Sequence, residues 1–180
     1  MEAGYQKIEL VKTLPILEGE MSKKPIFFVN EQGTLESFFT YKGTIIEIHK
    51  MAIKIQLGKA THQEISEEIR NILVSGIQNG SWIVFLMGNT SSFDVAEFFS
   101  KLSFNKGDLN FFDNSKLMNK DYISKSGILK DKDDVDFLGN KGGFKVNESS
   151  RVVYLANSAE ADIAKLKQAN SKIDFEFYCV

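Results

Sequence analysis

A chain of 180 residues, 43% hydrophobic and 26% charged, carries enough apolar content for one domain with a real core and is short for two. Its net charge of −2 does not supply the basic surface that a nucleic-acid or anionic-membrane binder needs, so neither partner is expected. Cys179 is the single cysteine and there are two histidines, so neither an intrachain disulfide nor a Cys/His zinc site is expected.

Residues 1–22 mix charges with short apolar runs and hold no signal-peptide core. They read as an N-terminal extension ahead of one domain, residues 23–180. No apolar run reaches membrane-spanning length, which adds to the expectation of a cytoplasmic protein. After Pro25 the run IFFV predicts a strand buried on both faces. Residues 34–39 then predict a short helix with Leu35, Phe38 and Phe39 inward, and residues 44–49 (TIIEIH) a second strand ended by His49. Residues 61–79 are the plainest helix: Thr61 and Glu64 form a capping box, and Ile65, Ile69, Ile72, Leu73 and Ile77 share one face. Gly80 is placed to end it in a left-handed cap.

WIVFLM (82–87) predicts a central strand, followed by a helix capped by Ser91 with Asp94 and carrying Phe93, Ala96, Phe99 and Leu102. Leu109, Phe112, Leu117 and Ile123 mark short helical turns in a mixed region. Residues 128–146 suggest a β-hairpin turning at Gly139-Asn140 or Gly142-Gly143. A strand at 151–156, a helix at 158–169 and a strand at 173–180 close the chain. Such alternation implies an α/β fold: three layers around a parallel sheet of about five strands with right-handed crossovers and an inserted hairpin.

Within this order one stretch carries a chemical suggestion. KPIFFVNEQGTLESFF (24–39) is a strand, a glycine-bearing turn and a helix, the shape of a phosphate-binding loop without its phosphate chemistry. A working loop reads G-x-x-x-x-G-K-[ST], with backbone N–H groups closing on the phosphates and the lysine neutralising them. Asn30 and Leu35 stand at the two glycine positions, Glu36 at the lysine and Ser37 at the hydroxyl. At about 4 Å and an effective dielectric near 20, unit charges interact by roughly 4 kcal/mol, so Glu36 turns a large attraction into a repulsion. Its carboxylate suits the helix N-terminus, which favours negative charge. ATP hydrolysis is not expected.

Four pieces in order, IFFVNEQGTLESFF (26–39), IRNILVSGIQNGSWIVFL (69–86), FLGNKGGFKVNESSRVVYLAN (137–157) and KIDFEF (172–177), resemble the fifth AAA module of dynein heavy chains. A similar degenerate module closes the IQ-motif and ankyrin-repeat proteins. The dynein module is generally regarded as not binding nucleotide and serves as part of a ring. The resemblance implies a P-loop-NTPase-like fold standing without the AAA lid, since the chain stops at the fifth strand. It makes Asn30, Gly33, Glu36 and Ser37 a vestigial loop and Asn157 a vestigial sensor, and no acid lies between Trp82 and Ser92 to close the third strand. The same resemblance implies a non-catalytic scaffold of the ciliary axoneme that contacts axonemal or microtubule-associated proteins, with no cofactor, metal or small-molecule substrate. The alternative is a small regulatory nucleotide binder using Ser37, Asn157 and the N–H groups of Gly33 and Thr34.

Other chemical candidates reduce to ordinary structure. Gly58-Lys59 lacks the upstream glycine and adjacent hydroxyl of a phosphate loop, and reads as a turn before a capped helix. The acids of residues 131–136 fail calcium-loop spacing, because Val135 or Leu138 falls on a ligand position. His49 and His62 lack a Ser or Cys arrangement that suggests a triad and default to surface histidines. Phe98-Phe99 and Phe111-Phe112 overfill their helix faces; core packing is expected, with a partner-facing ring as the alternative.

Overall fold

The structure is a computed structural model and describes residues 4–19, 24–136 and 138–180. Six strands form one all-parallel sheet: β1 (Gln6–Lys7), β2 (Ile26–Val29), β3 (Gly43–Glu47), β4 (Trp82–Leu86), β5 (Arg151–Ala156) and β6 (Glu176–Cys179), in the order β1-β6-β2-β5-β4-β3. Eight α-helices connect them: α1 (Thr13–Glu18), α2 (Thr34–Lys42), α3 (Ile48–Gln56), α4 (His62–Asn79), α5 (Val95–Ser100), α6 (Asn114–Leu117), α7 (Lys120–Lys125) and α8 (Ile163–Ala169).

The strand order dictates which face each helix covers. From β1 to β2 and from β2 to β3 the chain moves one way across the sheet; every later step moves the other way. Right-handed crossovers then put α1 and α2 on one face and the remaining helices opposite. Strand side chains alternate accordingly. Ile26, Phe28, Val84, Leu86, Val153 and Leu155 pack with Leu17, Leu35 and Phe39. Phe27, Val29, Ile83, Phe85, Val152 and Tyr154 pack with residues of α3 to α8.

Several expectations need correction. The sheet has six strands because Gln6–Lys7, placed in the extension, pairs with Tyr178 and Cys179, and Leu17 of α1 is in the core. The second strand ends at Glu47, and residues 48–56 form a helix, so His49 lies in the first turn of α3. Asp94, not Ser91, caps α5, its side chain accepting from Glu97 N at 2.8 Å. Phe98, Phe99, Phe111 and Phe112 are all buried, so no ring of either pair is left to face a partner. Helix α4 has the expected capping box at Thr61 and Glu64, and Gly80 ends it at φ +73°.

Among the described residues of 128–147 one antiparallel bridge forms, Val135 to Lys141, around the Gly139-Asn140 turn; Phe137 lies outside the described residues. Asp133, Asp134 and Asp136 of this segment are occupied internally. Asp136 accepts from the Leu138 and Asn140 amides, and Asp134 accepts from Lys120 Nζ at 2.7 Å and from Phe144 N. Asp133 accepts from Arg70 Nη1 at 2.6 Å. Arg70, 1% exposed on α4, also donates two bonds to Glu67 and one to the Ile128 carbonyl. Lys130 and Lys132 complete three cations around Glu67, and Arg70 foremost, then the lysines, hold its carboxyl far below the usual carboxylate range. This cluster ties the irregular segment to α4.

Asn114 performs a comparable task beneath β5. Its Nδ2 donates to the Val152 carbonyl at 3.1 Å and its Oδ1 accepts from Val152 N at 3.0 Å, so a side-chain amide stands in for a neighbouring strand. An unpaired buried backbone group costs about 1–3 kcal/mol. Asn114→Ala strips two partners at once and is expected to lower stability by roughly 2–4 kcal/mol in urea unfolding. A loss under about 0.5 kcal/mol would show that the clamp contributes nothing.

Candidate functional site

In an open parallel sheet, ligands bind outside the C-terminal strand ends where the order reverses, because adjacent loops diverge there. Here the reversal lies between β2 and β5, whose ends deliver residues 30–33 and Asn157. The sequence-derived candidates Asn30, Gly33, Glu36, Ser37 and Asn157 all come from these two strand ends and the helix that follows β2.

The loop after β2 is closed by Asn30. Its backbone N–H donates to the Ala156 carbonyl at 3.0 Å, continuing the ladder one residue past the strand. Its side chain, 2% exposed with its residue, turns back: Oδ1 accepts from Leu35 N at 3.0 Å and from the Thr34 hydroxyl at 3.1 Å, while Nδ2 donates to the Val180 carbonyl at 3.0 Å. Asn30 thus acts across the loop as a cap for α2. Gly33, at φ +68°, makes the turn without the steric penalty that a Cβ would bring. The Leu35 amide, a donor that a phosphate loop would aim at its ligand, is taken up by protein. Ser37 is exposed, and its amide donates to the Gly33 carbonyl at 3.2 Å within the helix.

Glu36 and Asn157 meet beyond the ends of β2 and β5. Asn157 Nδ2 donates to the Glu36 carboxylate, and Asn157 N donates to the Gly88 carbonyl at 2.9 Å. The position that the phosphate-loop pattern would assign to a lysine thus carries a carboxylate held in place by the residue that the resemblance marks as a sensor. Asn157 Oδ1 is buried and makes no hydrogen bond among the described residues.

The end of β4 leads to Gly88 where a catalytic acid would be sought, and is met by a residue that sequence reasoning missed. His49 Nδ1 lies 3.1 Å from the Leu86 carbonyl, which can only accept, so Nδ1 carries the proton. The ring lies against Gly88, where an added Cβ would come within 2.9 Å of Nε2. The signal was faint: the strand-like TIIEIH run concealed the helix start that swings His49 over the next strand end. Cys179 pairs in register with Val29 on the other side of β2, away from His49; burial pushes its thiol upward, the opposite of an activated nucleophile.

Chemically, these strand ends offer one carboxylate, one neutral amide and an imidazole on a glycine. Lys59 lies in the loop leading to α4, whereas Asn30 and Gly33 lie in the loop that follows β2. No group of three or more His, Cys, Asp or Glu side chains that could hold a metal is found among the described residues. Nor is any of their helices long and apolar enough to cross a membrane. No family model, curated protein or solved structure matches this chain.

Proposed function

We propose that this protein is a non-catalytic structural unit, a P-loop-NTPase-like domain in which protein groups have replaced the phosphate chemistry. The observation that carries this reading is the Glu36–Asn157 hydrogen bond at the switch point. A nucleotide phosphate approaching α2 meets a negative charge already engaged with Asn157, and a loop amide already bound to Asn30. The module-like order of motifs supports the same reading and supplies its setting: a scaffold in the ciliary axoneme that contacts axonemal or microtubule-associated proteins.

Two measurements test it. Millimolar Mg-ATP or Mg-GTP is expected to leave the Tm unchanged. A ligand at tenfold its Kd would add about 1.4 kcal/mol, or roughly 3–6 °C for a chain of this size. A shift of that size, abolished by Gly33→Asp, would replace the structural reading with regulatory nucleotide binding. A tagged copy in ciliated cells is expected along the axoneme; signal throughout the cytoplasm but absent from cilia would remove the axonemal assignment.

A further inference from the structure

The start of the chain pairs with the sheet without joining its core. From Gly4 to Lys12 no residue is buried: Tyr5 and Ile8 are half-buried, the others are exposed, and burial resumes at Thr13 and Leu17. The strand that this segment covers is of the opposite kind. β6 buries Phe177, Tyr178 and Cys179, and it shares a four-residue ladder with β2 but only two residues with β1.

Side-chain ties hold β1 in place. Glu160, in the turn at residues 160–162 after β5, accepts from the Tyr5 hydroxyl on one carboxylate oxygen and from Lys7 Nζ on the other, both at 2.6 Å. Tyr5 and Lys7 can share one acceptor because alternate residues of an extended chain point the same way. Lys167 of α8 donates to the Gly4 carbonyl at 2.6 Å, and Gln6 Nε2 donates to Glu176 at 3.4 Å. In the ladder itself Ile8 N donates to the Cys179 carbonyl at 2.9 Å. Apart from the half-buried Tyr5–Glu160 bond, these side-chain ties lie in solvent, where each contributes little. Leu17, 1% exposed, anchors the chain from α1 onward.

We propose that residues 4–9 form a detachable strap, which leaves the edge of β6 while the rest of the domain stays folded, with Glu160 as its latch. The difference in burial is the cause. Parting an exposed two-residue strand gives up little apolar area, whereas global unfolding exposes the core on both faces of the sheet. Glu160 sets the balance, because one carboxylate holds two side chains and its loss frees both. With the strap open, the outer backbone groups of β6 face solvent. The strap is thus a cover for this sheet edge carried within the same chain.

Native-state amide hydrogen exchange of the full chain reads the opening at the Ile8 amide, whose acceptor is on β6. Its protection is expected to be at least about a hundredfold below that of Phe28, whose strand is paired on both sides. Glu160→Ala is expected to lower Ile8 protection by about a further fivefold, with Phe28 protection and the Tm unchanged. Lys101→Ala, which breaks the Glu97 pair on α5, should leave both amides as in wild type. No protection at Ile8, or protection equal to that of Phe28, overturns the proposal: the segment is then undocked, or opens only with the whole domain. Glu160→Ala that leaves Ile8 unmoved, or that weakens Ile8 and Phe28 by the same factor, overturns the latch, as does an equal effect of Lys101→Ala.

Discussion

Arg70→Met is expected to lower stability by about 3 kcal/mol, reducing the Tm by roughly 6–12 °C. Removing one member of a buried ion pair typically costs about 3–5 kcal/mol, because the partner is left charged without compensation. The lower end applies here: Glu67 keeps Lys130 and Lys132, whereas Asp133 and the Ile128 carbonyl lose their Arg70 donor outright. Methionine fills similar volume, so the loss reports the polar network and not a cavity. Arg70→Lys should recover only part of it, since a single ammonium cannot reproduce the bidentate bond to Glu67 while reaching Asp133. A Tm for Arg70→Met within about 2 °C of wild type would show that the cluster is not an anchor.

The same cluster sets a pH dependence. Glu67 has its folded-state pKa depressed, first by the Arg70 bonds and then by those of Lys130. A depressed carboxylate contributes stability that is present above its unfolded value, near about pH 4.3, and is lost as pH falls toward the folded value. Wild-type Tm should therefore decline on acidification below about pH 4, and the Arg70→Met curve should fall less steeply there. Parallel curves would assign the acid loss to other carboxylates.

Phe99→Ala is the second large effect, expected to cost about 3–5 kcal/mol in chemical unfolding. Phe99 is fully buried on α5 and meets Phe85 of β4 at 4.8 Å, Phe98 at 5.4 Å, Phe111 at 4.8 Å and Phe112 at 5.7 Å between ring centroids. Four rings lose a neighbour together, and the short elements carrying them have little local stability of their own. Phe99→Leu, which keeps most of the apolar volume, should lose markedly less. Near-equal losses in the two variants would mean that the site collapses around the truncation.

How much of this was readable in advance depended on whether the signal was local. Helix α4 announced itself because its cap, its apolar face and its terminal glycine all sit within its own sequence. α3 did not: its β-branched Ile48 continues a strand-like run, and Glu47 makes no side-chain cap to mark the change. The start of α5 was placed at Ser91 with Asp94, whereas Asp94 itself caps the helix by accepting from Glu97 N. β1 is a strand only because β6 lies beside it, a fact held by no local pattern. In the site, the turn geometry at Gly33 and the altered charge at Glu36 were legible. Their closure by Asn30 and Asn157 was not, because each bond depends on which strand ends the sheet places side by side.

The placement of β2 has a bearing on how the protein is made. Its Ile26–Val29 segment is flanked by β5 and β6, which are synthesised roughly 125 and roughly 150 residues later. Until residue 151 leaves the ribosome, the apolar IFFV segment has neither of its neighbours, although β3 and β4 can already pair. The middle of the sheet is thus assembled last. A nascent chain stalled in the irregular 128–147 segment presents an unpartnered hydrophobic strand, the state most prone to aggregate and most in need of a chaperone.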